Sequence, residues 1–465
     1  MMLSRSALGR NAPRALRKQC CAASPSARRG MASAATPNFQ YNVSEAAGVK
    51  VATREVGGPT ATLALVAKAG PRYQPFPGFS EALEQFAFKS TLKRSALRIT
   101  RETELLGSEV SSSHSRENIV LRAKFLSGDL PYFAELLAEV ASQTKYPTHE
   151  LNEVVLNVIK FKQQALLSNP EALALDAAHG LAFHRGLGES LTPSATAPFE
   201  KYLSAEAIAE FARGAYAKPN IALVASGPKS AELSKWVGEF FTGLSTSAGF
   251  GEFRPRESVP SKYYGGEQRI SSKAGNSVVI AFPGSSAFGT SGYKPETAVL
   301  AALLGGESTI KWTPGFSLLA KATQGFSQVK VSTKNYSYSD AGLFTIAVSG
   351  KAEQLAAASK NIAEAVKKVA AGDVASEDIK KAIALAKFRA LEAGQNLETG
   401  VEITGSGLIN GHKPYQLGEV AESIEKVTEQ QVKDAAKSFL SGKASVAAVG
   451  DLHQLPFADD LGLTV

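Results

Sequence analysis

The 465-residue chain is 44% hydrophobic and 20% charged, a balance and length that allow two or more ordinary cores and exclude a single one. Its 51 basic and 43 acidic residues give a net charge of +8, but seven of the bases lie in residues 1–31, and the remainder, at 44 against 43 or +1, argues against a nucleic-acid surface. Both cysteines, Cys20 and Cys21, fall in that same leading segment, so the rest of the chain has no thiolate for a disulfide, a nucleophile or a metal.

Residues 1–31 combine Arg5, Arg10, Arg14, Arg17, Lys18, Arg28 and Arg29 with Ser and Ala, and no acidic residue precedes Glu45. That is the composition of a mitochondrial transit peptide, and it lacks the apolar h-region of a secretory signal. The run Arg28-Arg29-Gly30-Met31-Ala32-Ser33 resembles a processing site and puts the expected mature start near Ala32. Further on, the best apolar runs, such as Ala61 to Ala67 and Ser277 to Phe282, are strand-sized, well short of the roughly 18 residues a spanning helix needs. Membrane association is therefore expected through protein partners.

The body carries an internal repeat. Ile119 to Phe125 followed by Leu130 to Ala141 reads as a strand and a helix, and Leu343 to Ser349 followed by Leu355 to Val369 repeats it. Thr148 opens a helix reaching Lys160-Phe161, as Ser376 opens one reaching Lys387-Phe388. Ser204 caps an amphipathic helix that leads to the strand Ile221 to Ala225; Thr428 does the same before Ser445 to Val449. The expected organisation is a transit peptide at 1–31, an N-terminal domain at 32–242, a Ser-, Gly- and Pro-rich linker at 243–266 and a similar C-terminal domain at 267–465.

Chemical motifs are scarce. There is no Walker-type phosphate loop, no nucleophile elbow and no dinucleotide-binding turn; Gly305-Gly306 reads as a helix C-cap. The six histidines are scattered, and His179 and His184, five apart, do not share a helical face.

The segment Gly78-Phe-Ser-Glu-Ala-Leu-Glu-Gln-Phe-Ala-Phe-Lys-Ser-Thr91 resembles the zinc helix of the pitrilysin-like (insulinase) metallopeptidases and mitochondrial processing peptidases. In that family H-x-x-E-H supplies two zinc ligands and a general base, and a Glu on a later helix supplies the third ligand. The resemblance puts Glu81 at the first His position, Glu84 at the base, Gln85 at the second His and Val158 at the third ligand. The peptidase-like domain is thus expected to be inactive, with no catalytic residue, metal or cofactor. Glu81 and Glu84 read as an ordinary carboxylate pair on a wet helix face.

Asn335 to Phe344 and Ser445 to Pro456 are similar to the second half of processing peptidases and respiratory core proteins alike. Leu303 to Thr323 is similar to fungal core proteins of the cytochrome b–c1 complex; the alpha subunit of the processing peptidase should carry a long glycine-rich loop there. The resemblance implies an α+β fold of two similar metallopeptidase-like domains, each a mainly antiparallel sheet packed with helices. It implies a non-catalytic scaffold of the ubiquinol–cytochrome c reductase (complex III), peripheral on the matrix side of the mitochondrial inner membrane. The implied partners are core protein 1, cytochrome b, cytochrome c1 and the iron–sulfur protein; the alternative is a non-catalytic alpha-type subunit of the processing peptidase.

Overall fold

A computed structural model describes residues 39–247, 249, 251–306, 315, 317–326, 328–394, 396, 398 and 400–465. The chain divides into two units, Met1–Pro37 and Asn38–Val465. The expected transit peptide, Cys20, Cys21, the start at Ala32 and residues 307–314 and 316 of the Leu303 to Thr323 segment lie outside the described residues.

The first half runs β1 (Asn42–Ala46), β2 (Val49–Arg54), β3 (Thr60–Ala67), α1 (Phe79–Phe86), α2 (Ala96–Leu105), β4 (Glu109–His114), β5 (Ile119–Leu126) and α3 (Leu130–Gln143). Then α4 (Thr148–Glu150) passes through a π-turn (Leu151–Val155) into α5 (Leu156–Leu167), followed by α6 (Pro170–Phe183), α7 (Ala205–Ala215), β6 (Ile221–Ser226) and α8 (Ser230–Phe240). The second half comprises β7 (Gly266–Ser271), β8 (Asn276–Pro283), α9 (Pro295–Leu304), α10 (Leu318–Thr323), β9 (Val329–Ser337), β10 (Gly342–Gly350), α11 (Ala352–Ala371) and α12 (Ser376–Ala393). It ends with α13 (Val401–Ile409), α14 (Leu417–Glu425), α15 (Glu429–Ser441) and β11 (Ser445–Gly450).

The repeat read from the sequence is visible in the sheets. The order β7-β11-β8-β10-β9 reproduces β2-β6-β3-β5-β4, and the first sheet adds β1 as an outer hairpin strand. Only β2–β6 and β7–β11 pair in parallel; the other ladders are antiparallel. The caps agree too. Ser204 Oγ accepts from the Ala207 N–H at 3.1 Å, Thr428 and Gln431 form a capping box, and Gly305 closes α9 at φ 64°.

Strands β3, β6, β8, β10 and β11 are apolar on both faces because both faces are covered. One face of each sheet packs on helices of its own half, with Phe79, Phe86, Phe133 and Phe211 filling the first core. The opposite faces are covered reciprocally. Ala174, Ala178, Ala182 and Phe183 of α6 lie on Val279, Ala281 and Ala447 of the second sheet, while Val401 and Leu408 of α13 lie on Ala64, Val66 and Val224 of the first. The approach is close enough that a Cβ on Gly405 would stand 2.5 Å from Val66, so only glycine fits there.

A buried ion cluster ties the halves together. The Arg72 guanidinium forks onto Asp340 with two 2.7 Å bonds, donates to Glu117 at 2.8 Å and reaches the Val259 carbonyl at 2.9 Å. Asp340 also accepts from the Ser261 N–H at 2.8 Å, and Glu117 from Ser339 N–H and Oγ at 2.8 and 2.6 Å. Although burial opposes ionisation of Asp340, the Arg72 fork holds its carboxyl below the usual range. Residues 256–264 are thereby laid on both halves: the Arg256 N–H donates to Tyr73 O and the Tyr264 N–H to Ala182 O in the first, and the Ser261 N–H to Asp340 in the second.

Candidate functional site

Helix α1 begins at Gly78, whose φ of 97° suits glycine in a turn crowded by Leu203 and Pro193. Phe79, Leu83 and Phe86 bury one face in the first core, which turns Glu81, Glu84 and Gln85 toward α5 and β4. The expectation of a wet carboxylate pair does not hold. Glu81 is only 1% exposed, and its side chain is fully enclosed. The cause is tertiary: α5 lies across α1, a contact that the sequence of α1 does not reveal.

A cation from α5 answers those carboxylates. Lys162 Nζ stands 3.1 Å from Glu81 Oε1 and 3.1 Å from Glu84 Oε1. Val158, where the resemblance placed a third ligand, lies one helical turn earlier and is half-buried; the residue α5 actually delivers to Glu81 and Glu84 is Lys162. The π-turn at Leu151–Val155 carries an extra residue, so faces counted at 3.6 residues per turn slip beyond it.

The last member is His114, at the end of edge strand β4. Its Nδ1 is in contact with Glu84 Oε2, and its Nε2 is 3.1 Å from the Leu191 carbonyl. Both partners are acceptors, so the ring satisfies both when each nitrogen carries a proton. Gln85 Nε2 donates to Glu84 Oε1 at 3.1 Å. Burial, which opposes ionisation of Glu84, is outweighed by the His114 hydrogen bond and by Lys162, and its carboxyl titrates below the usual range. Burial pushes Glu81 the other way, upward against the pull of Lys162; its Oε2 has no hydrogen-bond partner, and its Oε1 meets Lys162 as an ion pair without hydrogen-bond alignment.

Lys162 and His114 were the members missed in the sequence. The signals were faint: a lysine in the helix already singled out, and a histidine ending a strand of alternating exposure.

This arrangement does not suit the zinc of the resembled family. A divalent ion between Glu81 and Glu84 would meet the Lys162 ammonium at contact distance, and repulsion there is severe in a site shielded from water. Gln85 offers a weak amide in place of an imidazole, and the base Glu84 is already engaged on both oxygens. Beside His114 a cavity of about 380 Å³ lies between the halves, bordered by Arg116, His179, Phe288, Tyr336 and Glu402. Its charged groups are spoken for: Arg116 by Asp176 at 2.6 Å, and Glu402 by Ser115 at 2.5 Å.

Comparison with known proteins agrees with the family resemblance. Residues 50–193 match the family model "Insulinase (Peptidase family M16)", and residues 202–385 match "Peptidase M16 inactive domain". The chain is 51% identical to the mitochondrial cytochrome b-c1 complex subunit 2 of Neurospora crassa over 100% of both chains. It is 36% identical to that of Yarrowia lipolytica, over 93% of this chain and 99% of the relative. A mitochondrial-processing peptidase subunit alpha-2 from Dictyostelium discoideum is more distant, at 27% identity over 88% of this chain and 91% of its own. Identity from end to end with the Neurospora protein, and two family models across most of the folded part, establish that the chain belongs to the insulinase (peptidase M16) family, on its cytochrome b-c1 complex subunit 2 branch.

Proposed function

We propose that the chain is a non-catalytic core subunit of the mitochondrial ubiquinol–cytochrome c reductase, complex III, serving its assembly and stability. The observation that carries the non-catalytic part is the Lys162 ammonium between Glu81 and Glu84, in the place a peptidase would keep for its metal. The assignment to complex III follows the relatives named cytochrome b-c1 complex subunit 2. Its partners are core protein 1, cytochrome b, cytochrome c1 and the iron–sulfur protein, and it holds no haem, cluster or quinone of its own. Among the described residues no helix is long and apolar enough to cross a membrane. This supports peripheral attachment through those partners, on the matrix side of the inner membrane, after removal of residues 1–31 on import.

The test is a native gel of solubilised mitochondria, where the chain should migrate with haem b and haem c. Migration apart from both haems, with the processing peptidase instead, would favour the alternative alpha-type role that the Dictyostelium relative brings into view. N-terminal sequencing of the mitochondrial protein should begin within a few residues of Ala32.

A further inference from the structure

We propose that the Lys162 ammonium is a built-in replacement for the family's metal ion: it supplies the positive charge that the buried Glu81 carboxylate requires and joins α5 to α1, and through Glu84 to β4. This rests on the non-catalytic reading and says what fills the site instead of a metal.

Glu81 is the telling residue. Its side chain is fully enclosed, its Oε2 has no hydrogen-bond partner, and among the described residues Lys162 is its one ion-pair partner. A buried carboxylate without a counter-charge is strongly disfavoured. The remaining donors all converge on Glu84: Gln85 Nε2 at 3.1 Å, His114 Nδ1, and Lys162 again at 3.1 Å. Lys162 is therefore the main counter-charge of Glu81, with a smaller contribution from His114. The elements joined are those a metal would join, since α1 carries the first three motif positions and α5 carries Lys162. The side chain of Lys162 remains 34% exposed, so its stem spans from the surface of α5 and only its head enters the cluster. A tethered cation needs no supply from solution. The cluster should be indifferent both to chelators and to added zinc.

The experiment is hydrogen exchange, by mass spectrometry, of the α1 and α5 segments in the full chain assembled in its complex. Zinc is measured alongside. With Lys162 in place, exchange in both segments should be unchanged by chelator or by zinc, and no zinc should be retained at the site. Lys162→Met, similar in length but uncharged, should raise exchange in α1 about tenfold. Adding Glu81→Gln to that variant should return protection, because the charge in need of a cation is gone. If Lys162→Met fails to assemble, recovery of assembly by the double variant is the expected result. Unchanged exchange in Lys162→Met, no recovery by Glu81→Gln, or one zinc per chain that Glu84→Gln abolishes would each overturn the proposal. Exchange and zinc content are read in whichever complex holds the chain, so failure here is distinct from failure of the complex III reading.

Discussion

Two clusters in this molecule place one cation between two carboxylates, and they are built on opposite principles. At Arg72 the planar fork is matched bond for bond: Asp340 takes two hydrogen bonds, Glu117 Oε1 a third, and the Ser339 N–H fills the remaining oxygen, Glu117 Oε2. At Lys162 both distances are 3.1 Å, longer than those at Arg72, and Glu81 has no aligned hydrogen bond. The first cluster is held by geometry as well as charge, and the second by charge above all. Guanidinium suits the former because its donors are fixed in direction; an ammonium suits a site that needs a compact positive ion. The difference also follows position, since the Arg72 cluster must orient two halves while the Lys162 cluster neutralises Glu81 and joins elements within the first half.

The largest effect expected on that contrast comes from Arg72→Met. It strands Glu117, whose side chain is only 6% exposed, and should cost about 3–5 kcal/mol in urea unfolding of the full chain. A loss below about 1 kcal/mol would show that the two halves are not held through this residue. Arg72→Lys keeps the charge but loses the fork, and should cost roughly one charged hydrogen bond, about 1.5–3 kcal/mol. If Arg72→Lys were silent, the distinction between a geometric and a purely electrostatic cluster would collapse.

Acid titration sharpens the same point. The folded carboxyl of Asp340 titrates below its ordinary value, so its stabilisation is fully present above the unfolded pKa of about 3.9 and disappears as pH falls through the folded one. Asp340→Asn should therefore be less stable at pH 7 and lose less stability below about pH 4 than the parent chain. Parallel urea midpoints across that range would contradict the ion pairing.

The smallest effect is an expected absence of gain. Glu81→His with Gln85→His rebuilds H-x-x-E-H on α1, yet should retain no zinc while the Lys162 ammonium remains. Adding Lys162→Glu, and not Val158→Glu, should be what permits metal uptake, because Lys162 is the position α5 turns toward α1. Zinc bound by the Val158→Glu combination alone would restore the alignment read from sequence.

Much of the scaffold was legible beforehand. Ser204 and Thr428 announce their helices by capping chemistry, and the apolar strands Ile221–Ser226 and Ser445–Gly450 follow them at the same spacing, so local signals repeat where the structure repeats. The exchange of α6 and α13 was not legible. An alanine-rich helix carries the same pattern whichever sheet it covers, and nothing in Pro170 to Phe183 says that its partner lies beyond residue 265. The site shows the same division. The loss of the zinc pattern at Glu81 and Gln85 can be read from two letters, whereas the burial of Glu81 and the arrival of Lys162 depend on how α5 crosses α1.

The exchanged helices have a consequence for how the chain acquires its structure. The apolar face of β3 and β6 around Val66 and Val224 is completed by α13, which follows in the chain only after the second sheet's β7 to β10. A chain that emerges N-terminus first must hold that face exposed until nearly all of it has arrived. Contacts so distant in sequence close slowly, and an uncovered apolar sheet is prone to aggregate while it waits. The two halves should therefore become protease-resistant together, late and in one step, and a chain stopped before Val401 should need a chaperone to stay in solution at all.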